Sequence, residues 1–409
     1  MSGFTLKEKY AVGMALVVKS LIVSAILISF YAYSDFDNVP NLWNRWYTGQ
    51  DDVSSWYIPF ANWDGQYYLL LSDWGYNYEE TPDSPRAFFP LYPMLIHLLS
   101  YVVPRMVAAA LLSYLLTAGF CYFLFKLGEY FGCEKPYLVV LIVLAFPTAF
   151  FTSVFYTEAL FLFLQLGLVY HLLVTRSRKR WVYAALLPLT RGTALFFAVG
   201  LFAYMLIEHF RSGKRKTETR SQRRRRARKE DAYVSATVDS VAFNWRYYLS
   251  CFYAFFVGGV LYLAFFGFTT GDPLAGVSGQ DTFGVNSISN LLSPGHFIGY
   301  LSSESTSWFG ARESLFNKIF VVAAMLCSLI FVLYKEWGLL CFYLPLIYCQ
   351  AAMGIGVSFP RFFLVAIPFL ALALARNVKY SWLLFAICAV TFVFQLYLLQ
   401  VFSLNLWVA

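Results

Sequence analysis

The chain has 409 residues, of which 59% are hydrophobic and only 13% charged, with a formal net charge of +8. Soluble domains carry roughly 25% charged residues, so this composition excludes a water-soluble globular enzyme, and no polar stretch is long enough to build a soluble domain with its own core. Eleven Lys/Arg and two Glu between residues 211 and 230 hold a net +9, so the chain has one basic loop rather than a basic surface, and nucleic acid is not an expected partner.

Charge-poor apolar stretches of membrane-spanning length recur along the chain. They predict an all-α fold, a polytopic transmembrane helical bundle of eleven spans forming one membrane domain over 1–409. The spans are 11–32, 106–128, 137–152, 155–174, 181–190, 192–210, 247–268, 316–334, 337–355, 362–376 and 380–402. The first apolar run is long for a signal peptide and lacks a small-x-small cleavage site, so it reads as a retained span. Cys121, Cys133, Cys251, Cys327, Cys341, Cys349 and Cys388 show no Cys-x-x-Cys spacing, and the four His are scattered. Neither a disulfide framework nor a zinc site is expected.

Positive residues mark the cytoplasmic side. Arg176–Arg180 and the 211–229 cluster both belong there, which makes 211–246 a basic cytoplasmic loop resting on anionic lipid. Only thirty residues separate the two clusters, enough for a hairpin of short spans broken at Pro188-Leu189-Thr190-Arg191-Gly192. Alternation then places 33–105 and 269–315 outside, the N-terminus inside and the C-terminus outside. The segment 33–87 holds nine acids against Arg45 and Arg86, and it could bind a divalent metal, though such loops are common without one. Residues 88–103 are apolar but short for a span, so they read as an interfacial or re-entrant helix opened by Pro90 and Pro93. Residues 64–76, with Asp64 and Asp73 near their ends and many aromatics, read the same way.

The chemistry-bearing motifs then fall on one face. Trp63-Asp64-Gly65 puts a carboxylate at the edge of a bilayer, where packing explains it poorly. Asp64 is the candidate general base, with helix capping a compatible second role. Glu158 follows Tyr156-Thr157 where two helices meet, and a carboxylate at membrane depth is functional by default. It would orient an acceptor hydroxyl or pair with Arg191. Arg191 and Arg361 each neighbour a helix break, at Pro188 and Pro360. They are candidates either for structural ion pairs or for gripping a lipid-linked phosphate bidentately, with Arg86 and Arg312 weaker candidates. Asp272, in Gly271-Asp272-Pro273-Leu274-Ala275, reads first as a turn with a helix start, substrate contact being second. No P-loop, dinucleotide-binding glycine pattern or nucleophile elbow occurs. Energy for a group transfer must therefore come from a pre-activated, membrane-embedded donor, with no cofactor.

These blocks resemble a known family. Trp63-Asp64-Gly65, Gly75-Tyr76, Phe88-Phe89-Pro90-Leu91-Tyr92-Pro93, the run Phe146 to Phe161, Thr190-Arg191-Gly192, Gly271-Asp272-Pro273 and Arg361 ahead of Pro368 are similar in order and spacing to the GPI mannosyltransferase II family and its prokaryotic relatives. That family lies among the GT-C-type integral-membrane glycosyltransferases. The resemblance covers about residues 60–375. It implies a dolichyl- or polyprenyl-phosphate-mannose donor, a glycolipid or cell-surface glycan acceptor, and transfer with inversion on the extracytoplasmic or luminal face. It places Asp64 as base; the residues' own charge and position add Glu158, Arg191 and Arg361 on substrate beside Trp63 and Gly65, with Asp73, Tyr92, Tyr156 and Asp272 as further candidates. Phe146-Pro147 stands where the family pattern has Asn-Pro, and the Phe88–Pro93 block is closer to prokaryotic members. No Asn-x-Ser/Thr sequon occurs. A prokaryotic plasma membrane is therefore the expected location, or the endoplasmic reticulum membrane in a eukaryote, with membrane lipid and an accessory membrane subunit as further partners. A same-fold transferase using another lipid-linked sugar or a protein acceptor stays open, as does a transporter or flippase of lipid-linked sugars.

Overall fold

The computed structural model describes residues 4–33, 54–77, 85–217, 244–280, 294–305, 307–309, 314–353 and 358–408. The stretch 34–53, residues 78–84, most of the basic run, and Arg312 lie outside the described residues. The helices are α1 (Leu6–Tyr33), α2 (Asp64–Trp74), α3 (Leu91–Ser100), α4 (Arg105–Tyr130), α5 (Pro136–Leu144), α6 (Glu158–Leu173), α7 (Arg180–Leu186) and α8 (Thr193–Thr217). They continue with α9 (Trp245–Thr270), α10 (Ala275–Gly279), α11 (Pro294–Ser302), α12 (Leu315–Leu333), α13 (Trp337–Met353), α14 (Phe359–Phe363), α15 (Ile367–Asn377) and α16 (Ser381–Ser403).

The molecule is a polytopic helical membrane protein. Among the described residues, six helices are long and apolar enough to cross a membrane: α1, α4, α8 over Thr193–Ser212, α9, α12 and α16. Four of the other segments expected as spans or interfacial helices, around α3, α6, α13 and α15, are apolar helices of 10–17 residues. Three expected spans are interrupted, two of them at a proline. The run 137–152 stops as α5 at Leu144, because Pro147 supplies no N–H and its ring clashes with the preceding turn. The chain resumes as a 3₁₀ turn over Ala149–Thr152. Pro188 likewise ends α7 in the 3₁₀ turn Leu187–Leu189. The expected span 362–376 is split into α14 and α15.

A broken helix leaves carbonyls without partners, and in an apolar surrounding each must be satisfied. Gln395 of α16 does this for α5. Its Nε2 donates to the Leu144 carbonyl at 3.2 Å and to the Phe146 carbonyl at 2.7 Å. The Thr148 hydroxyl donates to the Pro360 carbonyl at 2.8 Å, which ties this break to α14. Asn62 Nδ2 donates to the Phe402 carbonyl at 2.8 Å, and the Phe155 N–H donates to the Phe60 carbonyl at 3.0 Å. Four segments far apart in sequence are thus stitched together at polar backbone.

Around this junction α1 packs on α4, α5 and α16; α4 packs on α6; α8 packs on α13; and α12 packs on α13, α14 and α15. The α8–α13 contact is close because Gly200 faces the Cys341 carbonyl, where an added Cβ would stand 2.5 Å from that oxygen. Tyr31, near the end of α1, donates to the Ser54 carbonyl at 2.8 Å, so the segment leading to α2 sits at that end of the bundle.

A deeply buried lysine lies away from the sequence motifs. Lys19, midway along α1, is 1% exposed. Its Nζ donates to Ser113 Oγ at 2.8 Å, Thr117 Oγ1 at 3.0 Å and the Thr152 carbonyl at 2.8 Å, and lies 5.1 Å from the Tyr114 ring centre. These are neutral oxygens and a π face, which solvate the charge by dipoles rather than by a counter-ion.

Candidate active site

Two carboxylates and two guanidiniums from four segments converge at the junction. Asp64 is the first residue of α2 and Glu158 the first of α6. Each carboxylate therefore sits at the positive end of a helix, among N–H groups that lack intrahelical partners. Arg361 comes from α14, and Arg191 from the loop between the Leu187–Leu189 turn and α8.

Arg361 bridges the acids. Its Nη1 donates to Asp64 Oδ2 at 2.6 Å, and its Nε lies 2.9 Å from Glu158 Oε1, an ion pair outside hydrogen-bond angle. Arg191 Nη1 donates to the same Glu158 oxygen at 2.7 Å. The row Asp64–Arg361–Glu158–Arg191 alternates in sign and sums to zero charge, which lets it stay buried. Aromatic faces complete the desolvation. The Arg361 guanidinium lies 5.0 Å from the Tyr156 ring centre and 5.7 Å from that of Phe151, and Arg191 lies 4.5 Å from Phe362.

Exposure separates the two carboxylates. The Glu158 side chain is fully buried, whereas that of Asp64 is 20% exposed. Glu158 spends Oε1 on both arginines, while its Oε2 is buried without a hydrogen bond. Asp64 engages Arg361 through Oδ2. Asp64 is thus the partly exposed member of the pair, while Glu158 is buried between both arginines.

The backbone around Asp64 is held tightly. Its N–H donates to the Tyr156 hydroxyl at 3.2 Å, and that hydroxyl donates to the Asn62 carbonyl at 2.9 Å. Trp63 takes φ 54°, a conformation a bulky L residue rarely adopts, at a cost of about 1–3 kcal/mol. Ser358, which precedes the Arg361 helix, is also left-handed at φ 49°. Both charged partners thus leave strained turns. Gly65 has room for no side chain without adjustment, since a Cβ would stand 3.2 Å from the Phe60 carbonyl.

A small cavity of about 10 Å³, room for about one water, lies against Arg361 and is walled by Trp63, Phe151, Tyr156, Phe402, Trp407 and Val408. Phe402 and Trp407 come from the end of α16 and the segment after it, which no sequence motif had singled out. The turn that brings Trp407 in is encoded by Asn405. Asn405 sits at φ 60° as the left-handed cap of α16, with the Leu406 N–H on the Val401 carbonyl at 3.2 Å and its own N–H on the Phe402 carbonyl at 2.9 Å. An Asn directly after a long apolar helix, followed by a Trp, was the available signal.

The remaining candidates divide. Tyr92 is buried edge-on against Tyr68 at 5.3 Å, with its hydroxyl unpaired. The Tyr68 hydroxyl lies 3.5 Å from Thr157 Oγ1, and burial, then the neighbouring Asp64 charge, pushes its phenol well above the ordinary range, so it stays neutral. Asp73 stands at the far end of α2, in an ion pair with Arg105 at 2.6 Å. Asp272 lies apart from the cluster and accepts the Leu274 N–H at 2.9 Å in a turn after Gly271, the left-handed cap of α9. The helix beyond it starts at Ala275, two residues later than an Asp272 cap with Pro273 as first residue would place it. Arg86 lies in a short turn against α10. Among the described residues no group of three His, Cys, Asp or Glu could hold a metal ion.

The family model described as Mannosyltransferase (PIG-V) matches residues 39–256, just over half of the chain. The chain belongs to that family. It is a mannosyltransferase of the membrane, and such an enzyme requires a sugar donor and an acceptor. Neither a curated protein nor a solved structure matches it. In this PIG-V-type mannosyltransferase the matched range contributes Asp64, Glu158 and Arg191, whereas Arg361 and Trp407 lie beyond it.

Proposed function

We propose that the chain transfers mannose from a polyprenyl- or dolichyl-phosphate donor to a hydroxyl of a glycolipid or cell-surface glycan on the extracytoplasmic face. The observation that carries this reading is the partly exposed Asp64 carboxylate paired with the buried Arg361 guanidinium. The acceptor hydroxyl gives its proton to Asp64 as its oxygen attacks the anomeric carbon. The bond from that carbon to the phosphate oxygen breaks on the opposite face, and the lipid phosphate leaves with the electron pair. A β-linked donor thus yields an α-mannoside. Arg361 has five N–H donors, only part of which serve the two acids, so it is the arginine placed to meet the developing phosphate charge. Arg191, buried beneath Glu158 and outside the cavity lining, holds the network instead.

The donor carries its own activation, which fits a chain without a nucleotide-binding motif, and no metal or cofactor enters the reading. Membranes carrying the protein, supplied with radiolabelled polyprenyl-phosphate mannose and host lipid extract, should form a labelled glycoconjugate that Asp64→Asn abolishes. A labelled product from another lipid-linked sugar alone would change the donor. Movement of label across the membrane without a new product would favour the transporter reading.

A further inference from the structure

A second cavity lies at the other end of α5 from the candidate site. It measures about 50 Å³, room for about four water-sized groups, and its wall includes Glu134, Lys135, Arg376, Asn377, Lys379 and Ser381. It forms where two turns meet: α5 packs on α15, which brings the turn before α5 against the turn after α15. Three cations stand in this wall against one carboxylate, Glu134. Arg376 is already matched. Its Nη1 donates to Glu336 Oε2 at 3.2 Å, while Asn377 Nδ2 donates to the other Glu336 oxygen at 3.0 Å. Lys135 and Lys379 are not matched: among the described residues neither ammonium has an ion pair or a hydrogen bond. Both α5 and α16 begin at this wall, and neither first turn has a side-chain cap, so two positive helix ends add to the same field.

The depth of the cavity says which anion reaches it. Helix α16 is long and apolar enough to cross the membrane and starts at Ser381, in the wall itself. Tyr380 and Trp382 beside that start are largely exposed, as is Trp337, which follows Glu336. Exposed Tyr and Trp at the ends of spans mark the headgroup level, where lipid phosphates are the concentrated anions. An apolar path leads away from the cavity: Leu138 and Leu384 line it, and Leu383, Phe385 and Ile387 of α16 are exposed next to it. A free phosphate would answer the charge and leave that path unused, whereas a phospholipid answers both. We propose that this cavity binds the phosphate of an anionic phospholipid. Lys135 and Lys379 contact the phosphate, and Arg376, held by Glu336, stands at its side. The bound lipid clamps the turn before α5 to the turn after α15, at the far end of α5 from Asp64, and takes no part in sugar transfer.

The test titrates phosphatidylglycerol into phosphatidylcholine nanodiscs that hold the purified full chain, and follows the melting temperature. The proteins are wild type, Lys135→Gln/Lys379→Gln, Glu134→Gln, and a charge-matched control, Arg178→Gln/Lys179→Gln, at two exposed cations of the turn between α6 and α7. One charge at a headgroup accounts for about fivefold in affinity. Wild type should rise in melting temperature as phosphatidylglycerol is added. The double lysine variant should need about 30 times the phosphatidylglycerol fraction for half of that rise, while the control stays near wild type. Glu134→Gln removes the carboxylate from the wall and should need about fivefold less, a gain that a merely damaged protein would not show. A wild type indifferent to phosphatidylglycerol would overturn the proposal. So would equal effects of the lysine variant and the control, or a Glu134→Gln response no tighter than wild type. Inorganic phosphate added to wild type in phosphatidylcholine alone should leave the melting temperature unchanged, and the full rise from it would overturn the lipid as ligand.

Discussion

Neutralising each carboxylate separately should divide catalysis from stability. In Glu158→Gln, the oxygen 2.7 Å from Arg191 and 2.9 Å from Arg361 loses its charge. Arg191 is then left with no carboxylate among the described residues, and Arg361 with Asp64 alone. Both arginines are only 6% exposed, so one positive charge remains buried without compensation. Removing one partner of a buried pair costs about 3–5 kcal/mol. In Asp64→Asn the loss is smaller, because the side chain is 20% exposed and Arg361 keeps Glu158. A single charged hydrogen bond is worth about 1.5–3 kcal/mol, and partial solvation brings this pair toward the low end. Thermal unfolding of the purified protein in detergent, beside single-turnover mannose transfer, reads both quantities. Asp64→Asn should melt close to wild type and lose about 10²–10⁴-fold in rate, the contribution of a general base. Glu158→Gln should melt clearly lower. Near-normal turnover in Asp64→Asn would remove it as the base. A wild-type melting temperature in Glu158→Gln would refute the argument that this carboxylate compensates two buried guanidiniums.

Other substitutions test separate parts of the reasoning. Arg361→Lys keeps a charge but loses the planar fork that spans Asp64 and Glu158; transfer should fall by about 10²-fold, the scale for one electrostatic donor, and wild-type kinetics would show that a point charge suffices. Gly200→Ala pushes a methyl against the Cys341 carbonyl and the Phe342 Cα, so the melting temperature should drop by the equivalent of about 1–3 kcal/mol, with transfer per folded molecule retained. Lys19→Met removes a buried cation while Ser113 Oγ still donates to the Thr152 carbonyl and Thr117 Oγ1 to the Ser113 carbonyl. With no acceptor orphaned and a desolvation cost relieved, the melting temperature should hold or rise, and a clear fall would show that the cation itself binds α1 to α4.

The membrane class was legible because it depends on composition alone: a bilayer selects apolar stretches whatever they pack against. The expected span ran through Pro147 to residue 152, yet the cause of that break is local, since proline supplies no N–H. Its repair is not. Gln395 lies some 250 residues away along the chain, and nothing in its own neighbourhood points to α5. The candidate site shows the same division. Asp64, Glu158, Arg191 and Arg361 stood out because charge is conspicuous in an apolar chain. Lys19, also charged and apolar-flanked, passed unremarked because it lies outside the motif blocks.

By itself, the sequence determined that this protein is a helical membrane protein and which side chains carry its charge, for residue type and hydropathy are local properties. It also left both arginine roles open, structural pairing or phosphate contact. Only tertiary structure decided that Arg361 bridges both acids while Arg191 meets Glu158 alone, that Asp64 rather than Glu158 is partly exposed, and that Trp407 lies against Trp63. Those outcomes depend on which segments touch. Long-range packing and the need to satisfy every buried polar group choose the contacts, and no residue's immediate neighbours record that choice.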